Sequence, residues 1–336
     1  MILKLSVSAA IVVFVMILAV AIGSVFVPPL EIIRIVLYRT LGIGNIVDIA
    51  DTHVAIIWNL RLPRVFLAFL AGALLSVSGA AMQSVLRNPL ASSLTLGVSS
   101  GASLGAALVL LLSVSFLPMF TMPLLGFGFA MGVMVLVIGL AARMDGTLEN
   151  NTIILLGMVV SLFINAVTML LMTMNRESLQ RLIFWQLGSV AMRDWMPVII
   201  LVVVLMLGVL VVLRHHREMD IMTFGEEAAK SMGVSMVRSK WILLIVAAAM
   251  TGSTIAFVGI IGFVDLVAPH VVRRLFGSRH YLLIPLAALF GGVFMVVADT
   301  IARTIAPPTE IPIGVITALV GAPFFAYIYL RGRKRT

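Results

Sequence analysis

The chain has 336 residues, of which 62% are hydrophobic and 11% charged, with a formal net charge of +9 and no cysteine. Soluble domains carry about 25% charged residues, so an ordinary water-soluble fold is excluded; the missing cysteines also exclude a disulfide framework and thiolate metal centres. The basic excess need not imply nucleic acid, because in an apolar chain of this kind basic residues set orientation across a bilayer.

A helix needs about 20 mostly apolar residues to cross a membrane. In chain order, uncharged runs cover residues 5–30, 65–86, 88–142, 150–175, 195–213, 241–264, 280–298 and 311–330. The first is too long for a signal-peptide core and lacks a small-residue cleavage site, so it is expected to be a retained first helix. The run from Asn88 is long enough for two crossings, with a turn predicted across 113–123, where two prolines fall. Residues 266–272 are too short to span alone, and short helices persist at membrane depth only where protein or a cavity covers their ends. The expected fold class is an all-α integral membrane protein with ten transmembrane helices, the eighth short, forming a single domain over 1–336.

Ten crossings put both termini on one side, and Arg331, Arg333, Lys334 and Arg335 mark that side as the cytoplasm. Lys4, Arg87, Arg143, Arg214, Arg217, Lys230, Arg238, Lys240, Arg273, Arg274 and Arg279 then also fall inside. Arg34, Arg39, Arg61, Arg64, Arg176, Arg181, Arg193 and Arg303 fall outside. Every lysine is inside, as the rule requires, but so many outer arginines exceed what orientation alone needs.

The second helix carries Gly72, Ser76, Gly79 and Gln83 on one face, and the fifth carries Gly157, Ser161, Asn165 and Thr168 in the same way. Such stripes let helices pack closely. They also suit a lined pathway, since the amides of Gln83 and Asn165 are large for simple packing and costly to leave unpaired in lipid. The glycine- and serine-rich stretch from Asn88 to Ala107 reads as tight packing, and no GxxxxGK[ST] phosphate loop occurs, so any ATP chemistry belongs to a partner.

The longest polar cytoplasmic segment, 214–240, contains GEEAAKSMG. This predicts a short helix starting near Glu226 and Glu227, whose charges suit a helix N-terminus, and ending at Gly233 as a C-terminal cap. Ala228, Ala229 and Met232 would give it a small face able to enter a groove on another protein; a solvated connector is the plainer reading. His215 and His216 read as interfacial residues, because no third ligand is placed to complete a metal site. Residues 259–274, GIIGFVDLVAPHVVRR, read as a broken backbone around a short helix, with His270 in a structural hydrogen bond or a proton relay. Outside, RLPR (61–64) opens the second helix and Arg303 ends the ninth. These arginines either snorkel to the interface or form a basic mouth for acidic groups of an external partner.

Seven segments in order resemble the FecCD family of ABC importer permeases: RLPR (61–64), GALLSVSGAAMQSVLRNPLASSLTLGVSSGASLGA (72–106), WQLGS (185–189), GEEAAKSMGV (225–234), GIIGFVDLVAPHVVRR (259–274), DTIAR (299–303) and EIPIGVITALVGAPFF (310–325). The resemblance implies a multi-pass permease of the bacterial inner membrane, paired with a second copy. It implies two ATPase subunits that use ATP and Mg, and an extracytoplasmic binding protein delivering a ferric siderophore, haem or cobalamin. The chain itself would be no enzyme, hold no cofactor and contact lipid, not nucleic acid.

Residue by residue, the resemblance makes Arg61, Arg64 and Arg303 docking sites for glutamates of the binding protein. It makes Gly225, Glu226, Glu227, Ala229, Met232, Gly233 and Val234 the segment coupled to the ATPases. Gln83, Asn88, Leu90, Asn150, Asn151, Ser161, Asn165 and Thr168 would line the pathway or its exit. Asp265 stands where the family usually has glycine, and is expected to pair with an arginine or cap the short helix. An ion-coupled secondary transporter is the competing class, but its mark is an ionisable residue deep in the membrane, and Asp265, Asp299 and Glu310 lie near predicted helix ends. A receptor-like membrane scaffold is a third, and it would not need the segment at 225–234.

Overall fold

The computed structural model describes residues 2–23, 27–113, 115–117, 119–174, 176–191, 194–306 and 309–333. Arg193, Lys334 and Arg335 of the charge census lie outside them. The described residues are helical and contain no strand. In chain order the helices are α1 (Ile2–Ala21), α2 (Pro29–Leu41), α3 (Asp51–Ala55), a π-helical turn (Ile56–Arg61), α4 (Leu62–Val85), α5 (Val98–Leu112), α6 (Thr121–Asp145) and α7 (Asn150–Met174). There follow α8 (Arg176–Gln186), α9 (Trp195–Arg214), α10 (His216–Met222), α11 (Glu226–Ser231), α12 (Met236–Val258), α13 (Val264–Phe276), α14 (His280–Thr304) and α15 (Ile313–Arg333).

Among the described residues seven helices are long and apolar enough to cross a membrane; α5 and α15 contribute shorter apolar stretches and α13 has 13 residues. The first uncharged run is not one helix. Pro28 and Pro29 follow α1 and open α2, since proline cannot continue a helix but suits its first turn. Helix α2 then stops at Gly42 in the left-handed conformation. Arg34 on α2 pairs with Asp48 at 2.7 Å and, by that hydrogen bond first, holds the exposed carboxyl below its ordinary range.

The core is organised around α4. Nearly every α4 side chain is buried, and the helix packs against α14, α12, α13 and α9. The glycine stripe makes this possible. A Cβ on Gly72 would collide with the Gly291 carbonyl of α14, and one on Gly79 with the Asp265 carbonyl of α13. Peripheral helices keep exposed apolar faces, as on α7 with Leu155, Met158, Val159, Leu162 and Phe163. Such a face suits lipid or a second chain rather than water.

Between α12 and α13 the backbone is broken over residues 259–263, as the glycine density predicted. Phe263 takes φ +69, a conformation that costs a non-glycine residue about 1–3 kcal/mol. Its side chain packs on Gly321 of α15. The loops 187–190 and 311–314 close on this break. Ser189 N–H donates to the Val258 carbonyl (2.8 Å), Ile313 N–H to that of Gly188 (3.2 Å), and Gly314 N–H to that of Leu187 (3.1 Å). Three of the seven motif segments therefore meet backbone to backbone.

Candidate functional site

Two groups of charged side chains stand out among the described residues. In one, Lys4 Nζ lies 5.7 Å from the ring centre of Phe276, and Arg87, Arg273 and His280 share a cavity of about 410 Å³ with Gln83, Asn88 and Thr223. In the other stand Arg61, Arg64 and Arg303 with two carboxylates.

None of these three arginines is an exposed guanidinium in the single chain. Arg61, only 6% exposed, donates from Nη1 to the carbonyls of Val20 (2.8 Å) and Ala21 (3.2 Å) at the end of α1. Arg64 lies between Asp299 and Glu310. Its Nε and Nη2 meet Asp299 at 3.0 and 2.8 Å, while Nη1 and Nη2 meet the two Glu310 oxygens at 2.7 and 3.1 Å. Arg303 donates to the Ala19 carbonyl and stands 3.8 Å from Asp299, one helical turn before it on α14. The Arg303 Nε is buried without a hydrogen-bond partner. A cavity of about 250 Å³ opens beside Arg64, Asp299 and Glu310, walled by Gly188, Ser189 and Ile313. The sequence offered one pointer to this network: Asp299 and Arg303 are spaced four apart, on one helix face.

Helix α11 covers Glu226–Ser231 and closes as a Schellman motif. Gly233 N–H donates to the Lys230 carbonyl (3.0 Å), Val234 N–H to that of Ala229 (3.0 Å), and Gly233 has φ +82. Glycine is favoured there because a side chain is strained in the left-handed region. The small face does not form as expected: Ala229 is buried against Met222 and Met236, with Val234 packed beside them. The outward surface consists instead of Phe224, Met232 and the polar Glu227 and Lys230. Gly225, at φ +118, opens the turn beside Arg87.

Glu226 has a partner the sequence did not reveal. Lys240, on the first turns of α12, is fully buried and donates both to Glu226 (2.6 Å) and to the Leu148 carbonyl just before α7 (2.5 Å). A lone lysine at the head of an apolar helix was its only trace.

The pathway residues separate. Gln83 does not face an open channel: it is 4% exposed, donates to the Asp265 carbonyl (2.9 Å) and accepts from Arg273 (2.5 Å) at the edge of the 410 Å³ cavity. Ser76 and Gly79 share the same packed interface, so the α4 stripe is a packing surface. On α7, Ser161 and Thr168 are buried and bond the carbonyls of Gly157 and Ile164, whereas Asn165 is exposed. Asn88 Oδ1 accepts the Leu90 N–H at 2.8 Å, and Leu90 is 49% exposed. Asn151 is exposed at the start of α7, where Asn150 Oδ1 is buried without a hydrogen-bond partner.

Asp265, in the first turn of α13, pairs with no arginine among the described residues. It is 1% exposed, and its Oδ2 accepts from the backbone (3.1 Å) and hydroxyl (2.9 Å) of Ser93, tying the turn before α5 to α13. Arg273 is held by Gln83 instead. The rings of His270 and Phe325 meet at 66° with centroids 6.3 Å apart, and the Nδ1 atoms of His215 and His216 lie against backbone carbonyls.

Residues 11–331 match the FecCD transport family. The chain is 42% identical over 321 residues to an uncharacterized ABC transporter permease, YvrB, of Bacillus subtilis (strain 168), covering 95% of this chain and 90% of that one. It is 38% identical to the cobalamin import system permease BtuC of Halobacterium salinarum (85% and 76% covered) and 38% identical to the Fe(3+) dicitrate transport system permease FecD of Escherichia coli K12 (84% and 87%). A solved structure described as an inward-facing metal-chelate type ABC transporter superposes with a TM-score of 0.85 at 27% identity, over 98% of this chain and all of that one. With its apolar helices and this likeness along almost its whole length, the chain belongs to the FecCD transport family and is a multi-pass ABC transporter permease.

Proposed function

We propose that this chain is the membrane subunit of an ATP-driven importer, working as a homodimer in a bacterial cytoplasmic membrane with both termini inside. Two separate ATPase subunits, which use ATP and Mg, sit under residues 225–234, and an extracytoplasmic binding protein docks at Arg61, Arg64 and Arg303. The cargo is a ferric siderophore. The observation that carries this reading is the construction of α11: a short, firmly ended knob with Phe224 (74% exposed) and Met232 (60%) turned outward. Lys240 and Glu226 lock that knob to α12 and to the start of α7. A surface of this kind suits a cleft on a partner, and displacing it would move two long helices directly.

Alternating access follows. A loaded binding protein docks outside, ATP draws the ATPase subunits together, and the knob carries their movement to α7 and α12. Asn165 on the exposed face of α7, with Asn88, Leu90, Asn150 and Asn151 at the cytoplasmic exit, supplies weak polar contacts that let a bulky chelate pass. The FecD and BtuC relatives are equally identical to this chain, so likeness alone does not choose between iron chelate and cobalamin, and relatives named for hemin and molybdate transport widen the range. Binding measurements on the cognate binding protein with ferric siderophore, haem and cobalamin decide the cargo. The permease role is tested in proteoliposomes holding the chain and its ATPase: Gly233→Trp is expected to abolish binding-protein-stimulated ATP hydrolysis, and unaltered stimulation overturns the reading.

A further inference from the structure

If binding-protein carboxylates are to reach the three arginines, they meet guanidiniums already in use. Arg64 has five N–H groups, and Asp299 and Glu310 engage four of them. A bidentate carboxylate needs two parallel donors, and Arg64 has only one to spare. The two resident acids are unequal. Asp299 is 2% exposed and held between Arg64 and Arg303, whereas Glu310 is 44% exposed and reaches Arg64 from the loop before α15.

We propose that Glu310 is a resident stand-in for the partner's carboxylate, displaced from Arg64 when the binding protein docks, while Asp299 stays. This inference rests on the docking role assigned above. No covalent step is involved: one carboxylate leaves two N–H donors and another takes them. The 250 Å³ cavity beside Arg64 and Glu310 gives the entering group room.

Displacement would also send a signal inward. Glu310 begins a loop whose Ile311 N–H donates to Ala302 (3.1 Å) and whose Ile313 and Gly314 are bonded to Gly188 and Leu187. Those residues in turn touch the break between α12 and α13, through Ser189 to Val258 and through the close approach of Gly188 to Ile260. Release of Glu310 therefore pulls on the interruption of the helical backbone at residues 259–263. A docked partner would be sensed there without any contact to the pathway.

The test uses the full permease–ATPase complex in nanodiscs, titrated with labelled binding protein at fixed ionic strength. Glu310→Gln and Glu310→Ala are each expected to tighten docking about three- to fivefold, the worth of one half-exposed ion pair. Asp48→Asn, which removes a different outer acid of equal charge, is expected to leave docking unchanged, and Arg64→Gln to weaken it at least tenfold. Docking that is unchanged or weaker in both Glu310 variants, while Arg64→Gln still weakens it, overturns the exchange and leaves the docking role standing. Equal tightening by Asp48→Asn also overturns it, since the effect is then general electrostatics. Docking untouched by Arg64→Gln removes the docking role at this residue and the exchange with it.

Discussion

Lys240 buries its ammonium completely and spends it on Glu226, 14 residues earlier, and on the carbonyl of Leu148, 92 residues earlier. A buried ammonium is tolerated only when paired and hydrogen-bonded. This one ties α11 and the head of α12, already joined by a four-residue linker and packed through Ala229 and Met236, to the entry of α7.

The pair should therefore be costly to break from either side. Lys240→Met leaves Glu226 and the Leu148 carbonyl without their donor, and Glu226→Gln leaves the ammonium buried without its counter-charge. Each is expected to destabilise by about 3–5 kcal/mol. The double variant Lys240→Met/Glu226→Gln should recover part of that loss, because no lone charge remains. Thermal unfolding of the four proteins in detergent gives the coupling energy directly; strictly additive effects would show that the two side chains do not act as a pair. In the assembled transporter, both single variants are expected to retain ATPase binding while losing stimulation of hydrolysis.

The close approach of α4 to α13 gives a steric prediction. Gly79→Ala puts a methyl against the Asp265 carbonyl, where only backbone lies within reach, and overpacking of this kind costs about 1–3 kcal/mol. Gly233→Ala meets nothing within 4 Å, yet it forces a side chain into φ +82, at about 1–2 kcal/mol. The two should differ in kind. Gly79→Ala lowers the unfolding temperature of the whole chain, while Gly233→Ala loosens only α11 and its exchange-protected amides. Hydrogen exchange separates them, and global loosening by Gly233→Ala would contradict the local role.

What could be read from the sequence was what local chemistry decides. Glycine after a short polar helix announced the cap at Gly233, and glycine density announced the break at 259–263. Partner choice across the chain was not legible. Arg64 finds Asp299 and Glu310 more than 200 residues away, and nothing local distinguishes an arginine facing water from one that meets two acids. The same limit affected the stripes. Spacing placed Gly72, Gly79 and Gln83 on one face of α4, but only the position of α13 and α14 shows that face to be a packing surface. On α7 Asn165 is exposed while its neighbours in the same pattern are buried.

Asp299 and Glu310 hold one guanidinium between them but should respond differently to loss of charge. Asp299→Asn removes the buried anion between Arg64 and Arg303, leaving two crowded cations, and is expected to cost about 3–5 kcal/mol. Glu310→Gln removes a half-exposed partner and should cost no more than about 1 kcal/mol. Unfolding of the detergent-solubilised permease alone measures both, without any partner present. Equal losses would mean that Glu310 is as firmly built in as Asp299, and would make it a poor candidate for displacement.

Asp265 offers the sharpest contrast between charge and hydrogen bonding. Its Oδ2 takes two hydrogen bonds from Ser93, its Oδ1 is buried without a partner, and no ion pair reaches it among the described residues. What the fold uses is therefore an acceptor at one oxygen, not a negative charge. Asp265→Asn keeps that acceptor and removes the need to bury an anion, so its stability should fall within about 1 kcal/mol of the parent or above it. Asp265→Ala removes the acceptor, leaves the Ser93 N–H and hydroxyl unsatisfied, and should cost about 1–3 kcal/mol. Thermal unfolding of the two variants decides the matter. If the asparagine variant is as damaged as the alanine one, the carboxyl group is required for something other than tying Ser93 to α13.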